Sequence, residues 1–315
     1  MTMSEQTSSV EFPQIVLVDL STACNATCVM CPTQLNPLRK KMMDPALFES
    51  VVEQVSKFPV HPVNNKFFIG VHGEPLLDKR LAEKIALCRS RGINHVLIST
   101  NGSLMTAQRA RDILEAEPYI IVISLESMDP KLFESIRKGL RHDVVVENLK
   151  SLLAIRNELN SSTRIGVRFI ESVRNAHERE TFQHYWAPHL NSAKQDYFSI
   201  DRIHNWAYGD PGKFYGNSPC GHTTGMTILS DGDVVFCCLD HEGVHHLGNA
   251  YQHSLLEIFN CEKARKMRAI HFAGQRHTLE MCKTCDVAEQ WAGHPIAPIY
   301  NDFIAEDWVR MPGGV

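Results

Sequence analysis

Long hydrophobic runs and an excess of charge of either sign are both missing from this 315-residue sequence. No stretch approaches the ~20 consecutive apolar residues of a membrane-spanning helix, which argues against a membrane partner. Residues 1–14 contain no basic segment followed by an apolar run, so no secretion signal is predicted and a cytoplasmic location is expected. The formal net charge is −4 and the basic residues are scattered, which argues against nucleic acid as a partner.

Cysteine, in contrast, is abundant, with ten residues. In the reducing cytoplasm the expected uses of cysteine are metal binding and catalysis rather than disulfides. Cys261 stands alone, and so does Cys88, which lies on a predicted helix and is interpreted as a small buried apolar side chain. The others form two groups: Cys24, Cys28 and Cys31, and Cys220, Cys237, Cys238, Cys282 and Cys285. This grouping predicts two metal sites.

The hydrophobic pattern up to about residue 205 predicts alternating strands and helices. Short apolar runs rich in β-branched and aromatic residues are typical of buried parallel strands: Ile15–Leu20, Phe67–Val71, His95–Ser99, Tyr119–Leu125, Arg164–Ile170 and Tyr197–Ile203. Segments with helical periodicity lie between them: Pro45–Phe58, Lys79–Arg91, Thr106–Ala116, Val144–Leu159 and His177–Leu190. Six such strands with right-handed crossovers are too few for a closed eight-stranded barrel. The predicted fold class is therefore α/β, an open, partial (β/α)6 TIM-like barrel.

The pattern changes towards the C-terminus. The turn Asp231–Gly232 predicts a β-hairpin joining Gly225–Ser230 to Asp233–Cys238, because Asp-Gly supplies the positive φ angles of a tight turn. A helix is predicted over about Ser254–Ile270, ahead of Cys282 and Cys285, so the segment reads as a small α+β domain. The predicted boundaries are an N-terminal tail at 1–14, the barrel at 15–205, the small domain at 206–290 and a C-terminal tail at 291–315.

The first cysteine group has the spacing of a metal-binding loop. Cys24, Cys28 and Cys31 directly follow the first predicted strand, at the end where a barrel carries its active site. Three thiolates can hold three irons of a 4Fe–4S cluster and leave the fourth iron open for a ligand. The alternative is a zinc site whose fourth ligand comes from elsewhere in the chain.

This loop resembles the CxxxCxxC signature of the radical S-adenosylmethionine enzymes, and the resemblance extends from about Asp19 to Ile203. His72-Gly73-Glu74-Pro75 is similar to the family's GGEP-like motif, although His72 replaces its first glycine. Taken singly, the Gly-Glu-Pro and Asn101-Gly102 segments are ordinary loop sequences, but their joint placement at successive strand ends favours cofactor binding. The resemblance implies S-adenosylmethionine contacts at Met30, where the family often has an aromatic residue, and at Gly73, Glu74, Pro75, Asn101 and Ser124.

The same resemblance implies a reaction. The open iron would chelate the amino and carboxylate groups of S-adenosylmethionine, and one-electron reduction would then cleave the sulfonium to methionine and a 5′-deoxyadenosyl radical. That radical abstracts a hydrogen atom from a substrate. A reducing partner such as a flavodoxin or a ferredoxin is therefore implied.

The second cysteine group resembles the auxiliary-cluster domain called SPASM, or its shortened form, the twitch domain. The matching thiols are Cys220, Cys237, Cys282 and Cys285. The full SPASM domain continues with further cysteines, whereas this sequence has none after Cys285. The resemblance therefore implies one auxiliary 4Fe–4S cluster, and two 4Fe–4S clusters in total. Zinc held by the same four thiolates is the alternative.

The adjacent residues Cys237 and Cys238 leave the second ligand of this group ambiguous. On a strand, their side chains would point to opposite faces, so one alone could reach the metal. The spacing from Gly232 favours Cys237 as the ligand. Cys238 is then a buried apolar thiol, an alternate ligand, or a free thiol able to donate a hydrogen atom to a substrate radical.

Substrate residues are expected at the carboxyl ends of the later strands. The candidates are Arg168, Glu171, His204 and Asn205. A structural ion pair for Arg168 and a surface loop position for His204 are the alternatives.

Three functions are weighed for this chain. The first is oxidation or epimerisation of a small hydroxylated molecule, sugar-like or aminocyclitol-like, with the auxiliary cluster as electron acceptor or relay. The second is peptide or protein modification, although such enzymes often carry an extra domain for a leader peptide, and no residues are spare for one. The third, a non-catalytic electron carrier, needs neither a Gly-Glu-Pro segment nor an open three-cysteine site. We expect the first, with a small-molecule substrate, and slightly favour dehydrogenation.

Overall fold

The computed structural model describes residues 12–32, 41–58, 66–207, 209–218 and 220–290. The predicted C-terminal tail and most of the predicted N-terminal tail lie outside these residues. Within them, the strands of the predicted barrel are β1 (Ile15–Val18), β2 (Lys66–Ile69), β3 (His95–Thr100), β4 (Ile120–Ser124), β5 (Arg164–Glu171) and β6 (Tyr197–Arg202). The helices that alternate with them are α1 (Pro45–Val55), α2 (Leu81–Ser90), α3 (Ala107–Glu115), α4 (Pro130–Ile136), α5 (His142–Glu158) and α6 (Arg179–Trp186). The predicted alternation is confirmed.

One helix, α4, was not predicted from the sequence. It begins where the Asp129 carboxylate accepts a hydrogen bond from the amide of Leu132, with Pro130 in the first turn. Asp44 and Pro45 start α1 in the same way, so the start signal of α4 was present. Its seven residues are too few for a helical period to be read from the apolar pattern.

The sheet joins both predicted domains. Its strand order is β6-β5-β4-β3-β2-β1-β7-β8-β9, with β7 (Gly225–Ile228), β8 (Asp233–Val235) and β9 (His246–Asn249). Strands β1 to β6 pair in parallel, as predicted. The predicted hairpin does not form a separate layer, because β7 pairs in parallel with β1. Since β6 and β9 end the order, the sheet is open over the described part of the chain.

The single helix predicted over Ser254–Ile270 is two helices, α7 (Leu255–Phe259) and α8 (Glu262–Phe272). Ser254 starts α7 with a reciprocal capping box to Glu257, and the Cys261 thiol starts α8 by accepting from the amide of Ala264. Each cap satisfies amides that the first turn leaves free, so the chain restarts instead of continuing as one helix. Short helices α9 (Glu280–Thr284) and α10 (Val287–Gln290) follow.

The inner face of the barrel sheet is apolar at one end and polar at the other. Ile15, Leu17, Phe68, Leu97 and Val122 belong to one buried cluster on this face. In the parallel register Ser124 lies beside Arg168, and Arg168 beside Ser199, so these side chains share the face nearer the carboxyl ends. The helices cover the other face, and none in the described part of the chain is long and apolar enough to cross a membrane.

Candidate active site

The loop after β1 presents three thiols, those of Cys24, Cys28 and Cys31. Its backbone is held by the segment after α4, because the Thr27 amide donates to the Lys138 carbonyl at 2.7 Å and the Val29 amide to the Ile136 carbonyl at 2.9 Å. Cys24 is exposed and the other two thiols are half-buried. The loop is therefore anchored by its backbone while its sulfurs stay accessible.

Polar groups surround these thiols. Asn101 Nδ2 lies 3.9 Å from Cys24 Sγ, and Arg137 Nη1 lies 3.7 Å from Cys28 Sγ. Arg137 is itself paired with the fully buried Glu126. Burial raises the pKa of Cys24 to about 11, and it raises the pKa of Cys28 while Arg137 opposes that rise. The Arg137 cation favours the thiolate form of Cys28, and the thiolate is the form that binds a metal.

Glu74 is buried and its carboxylate is fully used inside the protein. One oxygen accepts from the Leu76 amide at 2.9 Å and from the Thr100 hydroxyl at 2.5 Å. The other accepts from the Asn101 amide at 2.8 Å. Burial raises the pKa of Glu74 above its ordinary value. The side chain thus positions the Gly73–Pro75 segment against the end of β3, and its predicted contact to the cofactor stays a prediction.

Gly73 lies where two backbones meet. The next amide, of Glu74, donates to the Ala23 carbonyl at 2.9 Å. A Cβ added at Gly73 would lie 1.7 Å from the Ser21 carbonyl oxygen and 2.7 Å from that of Ala23. Glycine is therefore required for the segment to approach the cysteine loop.

His72, the departure from the family motif, connects this segment to the C-terminal part of the chain. Its Nδ1 lies 2.6 Å from Asp19 Oδ2, and its Nε2 lies 2.6 Å from the Cys238 carbonyl oxygen. Burial by itself would lower the pKa of His72, but Asp19 and the Cys238 carbonyl raise it above its ordinary value. Asp19 was not singled out from the sequence, although it follows β1 at the carboxyl edge of the sheet.

The second group of thiols converges on one place. Burial raises the pKa of Cys220 well above its ordinary value, and the neighbouring Cys237, Cys285 and Cys282 raise it further. Burial likewise raises the pKa of Cys285 to about 12. Cys282 Sγ also lies 3.4 Å from His271 Nε2. The four thiols that the sequence grouped thus lie near enough to influence one another electrostatically.

Cys238 does not follow the expected strand alternation. Strand β8 ends at Val235, so Cys237 and Cys238 both lie in the turn beyond it. Their sulfurs and one ring nitrogen of His222 all lie within 4.8 Å of one another. The alternation argument is wrong here, because successive side chains need not oppose each other in a turn. Cys238 is 9% exposed and packs with the inner-face cluster.

Arg276 organises the Cys282–Cys285 segment and was missed from the sequence, which carries no signal for it. Its Nη1 donates to the Cys282 carbonyl at 2.6 Å and to the Cys285 carbonyl at 3.2 Å. Its Nη2 donates to the carbonyl of Tyr215. The side chain is buried, at 1% exposure. One guanidinium thus holds three carbonyls of two loops around the thiols.

The predicted substrate residues separate into different surroundings. Arg168 lies on the inner face, with its Nε 2.9 Å from Asp201 Oδ2 and its Nη1 3.5 Å from Ser99 Oγ. Glu171, three residues later in β5, points to the opposite face of the sheet. Its Oε2 lies 3.5 Å from Arg179 Nη1. Asn205 uses its side chain internally, donating to the Thr284 carbonyl at 2.7 Å and accepting from the Ala207 amide.

His204 lies beside Trp206, and both approach the cysteine loop. The rings are 4.5 Å apart, and the Trp206 amide donates to His204 Nδ1 at 3.2 Å. Burial lowers the pKa of His204 to about 4, so the ring is neutral near pH 7. Trp206 Nε1 donates to the Met30 carbonyl at 2.6 Å. An aromatic side chain therefore does reach the position before the third cysteine, although it comes from the loop after β6.

Two family models match the chain at these places. The model described as Radical SAM superfamily matches residues 18–171. The model described as SPASM, iron-sulfur cluster-binding domain, matches residues 220–286. The chain belongs to the radical S-adenosylmethionine superfamily. It is a member of the SPASM group, which confirms the resemblance seen in the cysteine spacing.

Curated relatives of this radical S-adenosylmethionine protein are distant. It is similar to a tungsten-containing aldehyde ferredoxin oxidoreductase cofactor-modifying protein of Pyrococcus furiosus, at 26% identity over 50% of this chain and 44% of the relative. It thus spans less than half the length of that relative. It is also similar to an S-adenosyl-L-methionine-dependent 2-deoxy-scyllo-inosamine dehydrogenase of Niallia circulans, at 21% identity over 86% of this chain and 92% of the relative.

Solved structures share the fold. The crystal structure of BtrN in complex with AdoMet and 2-DOIA has a TM-score of 0.59 at 18% identity, over 87% of this chain and 93% of that one. Streptococcus suis SuiB bound to precursor peptide SuiA has a TM-score of 0.61 at 17% identity, over 90% of this chain and 72% of that one. Both likenesses support the open α/β barrel with its C-terminal extension.

Membership of this superfamily implies iron–sulfur clusters and S-adenosylmethionine, and the donor sets fit them. Three thiols on one loop leave an iron open for the cofactor, whereas four convergent thiols suit a closed centre. The inner face next to the three-cysteine loop offers Ser99, Ser124 and Arg168 as polar contacts. These side chains lie near the carboxyl ends of their strands.

Gly73→Ala is expected to lower the free energy of unfolding by about 1–3 kcal/mol, because the new Cβ collides with backbone oxygens that cannot move apart. Thermal unfolding measures the effect. Gly212→Ala is the control, since its Cβ would meet Asp210 Oδ1 at 3.3 Å, a side-chain atom that can shift. Equal melting temperatures for the two variants would contradict the close approach at Gly73.

Arg276→Met is expected to lose the auxiliary metal, because three carbonyls around the thiols lose their donor. Iron content should fall from about eight to about four per chain. Arg268→Met is the matched control, because Arg268 is also buried but donates to the Phe259 carbonyl instead. A full iron content in Arg276→Met would rule out this role for Arg276.

Proposed function

We propose that this protein is a radical S-adenosylmethionine dehydrogenase that oxidises a small hydroxylated molecule, sugar-like or aminocyclitol-like. The observation that carries the proposal is the position of the four-thiol group. Cys237 and Cys285 pack against the inner-face cluster that contains Leu17 and Tyr197. A metal centre held there would border the interior of the barrel, where it could accept an electron from a substrate radical.

The proposed reaction converts an alcohol to a carbonyl. S-adenosylmethionine and the cluster on the three-cysteine loop supply a 5′-deoxyadenosyl radical. A hydrogen atom leaves the carbon that bears the hydroxyl group, and the substrate radical then loses the hydroxyl proton and one electron. The electron passes to an auxiliary 4Fe–4S cluster, which makes two clusters in total. An external one-electron donor such as a flavodoxin or a ferredoxin starts the cycle.

Polar side chains on the inner face supply substrate contacts in this proposal. Asp201, paired with Arg168, has a pKa that burial raises above its ordinary value while Arg168 opposes the rise. The raised pKa suits Asp201 to take the hydroxyl proton, because its carboxylate is a stronger base than that of an ordinary aspartate. Neutral His204 accepts from the Trp206 amide at Nδ1, so its hydrogen lies on Nε2 and can be donated to a substrate oxygen.

The small-substrate class is supported by the extent of one alignment. The relative named as a 2-deoxy-scyllo-inosamine dehydrogenase aligns over 86% of this chain and 92% of its own length. This likeness over most of both chains supports a small substrate for the present chain.

Epimerisation is the second candidate, and the position of Cys238 favours it. Its sulfur lies 3.6 Å from His222 Nε2 and packs with the inner-face cluster. A thiol there that binds no metal could return a hydrogen atom to the substrate radical from the opposite face. No electron would then leave the substrate, and its mass would not change.

Product mass separates these candidates. Reduced, reconstituted enzyme is incubated anaerobically in D2O with S-adenosylmethionine and a panel of aminocyclitols, sugars and short peptides. A product lighter by two mass units from an aminocyclitol or sugar, still formed by Cys238→Ala, supports dehydrogenation. A product of unchanged skeleton with one solvent deuterium, lost in Cys238→Ala, supports epimerisation. Turnover of a peptide alone would overturn the small-substrate proposal.

A further inference from the structure

His72 lies between a carboxyl group and a backbone carbonyl, each within hydrogen-bond distance of one ring nitrogen. Asp19 Oδ2 is 2.6 Å from one ring nitrogen, and the backbone carbonyl oxygen of Cys238 is 2.6 Å from the other. His72 is 5% exposed and Asp19 is fully buried. The contact spans 166 residues of sequence, so it joins the edge of the barrel to the turn that follows β8.

The Cys238 carbonyl fixes the role of one ring nitrogen. A backbone carbonyl has no hydrogen to give, so Nε2 carries a hydrogen and donates it to that carbonyl. Nδ1 shares a hydrogen with Asp19 Oδ2, and the other oxygen of Asp19 accepts from the amides of Val71 and His72, at 2.9 and 2.8 Å. Asp19 therefore holds the ring so that Nε2 is directed at the Cys238 carbonyl.

The two ends of this connection belong to different sites. His72 directly precedes the Gly73–Pro75 segment, which packs on the cysteine loop. Cys238 directly follows Cys237, one of the four convergent thiols. A glycine at position 72, as in the family motif, would make neither bond. The connection is therefore a feature of this sequence.

We propose that His72 is a positioning residue that holds the Cys237–Cys238 turn against the Gly73–Pro75 segment. The turn carries part of the four-thiol group, and the segment packs on the three-cysteine loop. Asp19 orients the ring, and the ring fixes the turn through the Cys238 carbonyl. The proposal is independent of the substrate, because it concerns the spacing of two sites within the chain.

Two substitutions separate the two bonds of the ring. His72→Gln keeps an N–H donor near the position of Nε2, so it can still reach the Cys238 carbonyl. His72→Asn keeps a donor near Nδ1, so it can reach Asp19 alone. If the His72 side chain merely filled space, the two variants would have the same effect on hydrogen exchange in the turn. His142→Asn is the control, since His142 is a buried histidine on α5, 7% exposed and packed on Phe133.

Hydrogen exchange of the reconstituted full chain is the first measurement. In the turn, the amides of Phe236, Asp240 and His241 donate to backbone carbonyls and exchange slowly when the turn is fixed. His72→Asn should accelerate their exchange about tenfold, as expected for loss of a buried hydrogen bond. His72→Gln should stay within about threefold of wild type. This comparison decides the proposal whichever metal the thiols hold.

The midpoint potential of the auxiliary cluster is the second measurement, taken with Cys24, Cys28 and Cys31 replaced by alanine. His72→Asn should shift it measurably and His72→Gln should leave it near the wild-type value, because hydrogen bonding and solvent exposure around the cluster change when the turn is released. His142→Asn should change neither exchange nor potential. Equal exchange in His72→Gln and His72→Asn, or wild-type exchange in His72→Asn, would overturn the proposal. If His72→Asn does not fold, unchanged exchange and potential in Asp19→Asn would overturn it instead.

Discussion

Cys28→Ala is expected to abolish 5′-deoxyadenosine formation and to remove about four of about eight irons. Cys28 lies in the loop after β1, and the same loop carries Cys24 and Cys31. An open cluster needs all three thiolates, since two cannot keep three irons bound while the fourth binds S-adenosylmethionine. Anaerobic reduction followed by chromatography of the nucleoside products, together with iron analysis, measures both effects.

Cys88→Ala is the control for loss of a thiol as such. Cys88 is fully buried on α2 in the outer-face core, as its sequence context predicted. Its replacement should cost about 1 kcal/mol of unfolding free energy and leave iron content and cleavage unchanged. Continued 5′-deoxyadenosine formation by Cys28→Ala at the wild-type rate would remove the basis for assigning the open cluster to this loop.

Cys285→Ala is expected to uncouple the cleavage of S-adenosylmethionine from the oxidation of the substrate. The variant should keep the three-cysteine cluster, and hence about half the iron and continued cleavage of S-adenosylmethionine. It should lose the oxidised product, because the substrate radical has no neighbouring acceptor for its electron. The measurement is the ratio of product to 5′-deoxyadenosine, which should fall to nearly zero.

Cys261→Ser provides the comparison for Cys285→Ala. Cys261 lies at the start of α8, where its sulfur accepts from the Ala264 amide, and a serine hydroxyl can make the same cap. Both iron and product should be retained. If Cys285→Ala still forms product at the wild-type ratio, the auxiliary centre is not the electron acceptor, and the dehydrogenase proposal loses its main support.

Local patterns in the sequence were sufficient for the barrel and for the grouping of the cysteines. Apolar runs with β-branched residues predict β1 to β6, because a strand buried on both faces needs such residues along its whole length. The spacing of Cys24, Cys28 and Cys31 predicts one loop site, because the thiols are close in the chain before it folds. Short helices were harder to predict from the sequence, as the missed α4 and the missed helix start at Cys261 demonstrate.

Tertiary structure alone decided the contacts between distant parts of the chain. The pairing of β7 with β1, the bond from Trp206 to Met30 and the His72 connection to Cys238 join residues with no shared periodicity. The bonds of Arg276 to the Cys282–Cys285 segment and the turn that carries both Cys237 and Cys238 also could not be predicted from a local pattern. A sequence records which side chains can donate, accept or bind metal. Which of them meet depends on how the whole sheet packs, and that information is not local.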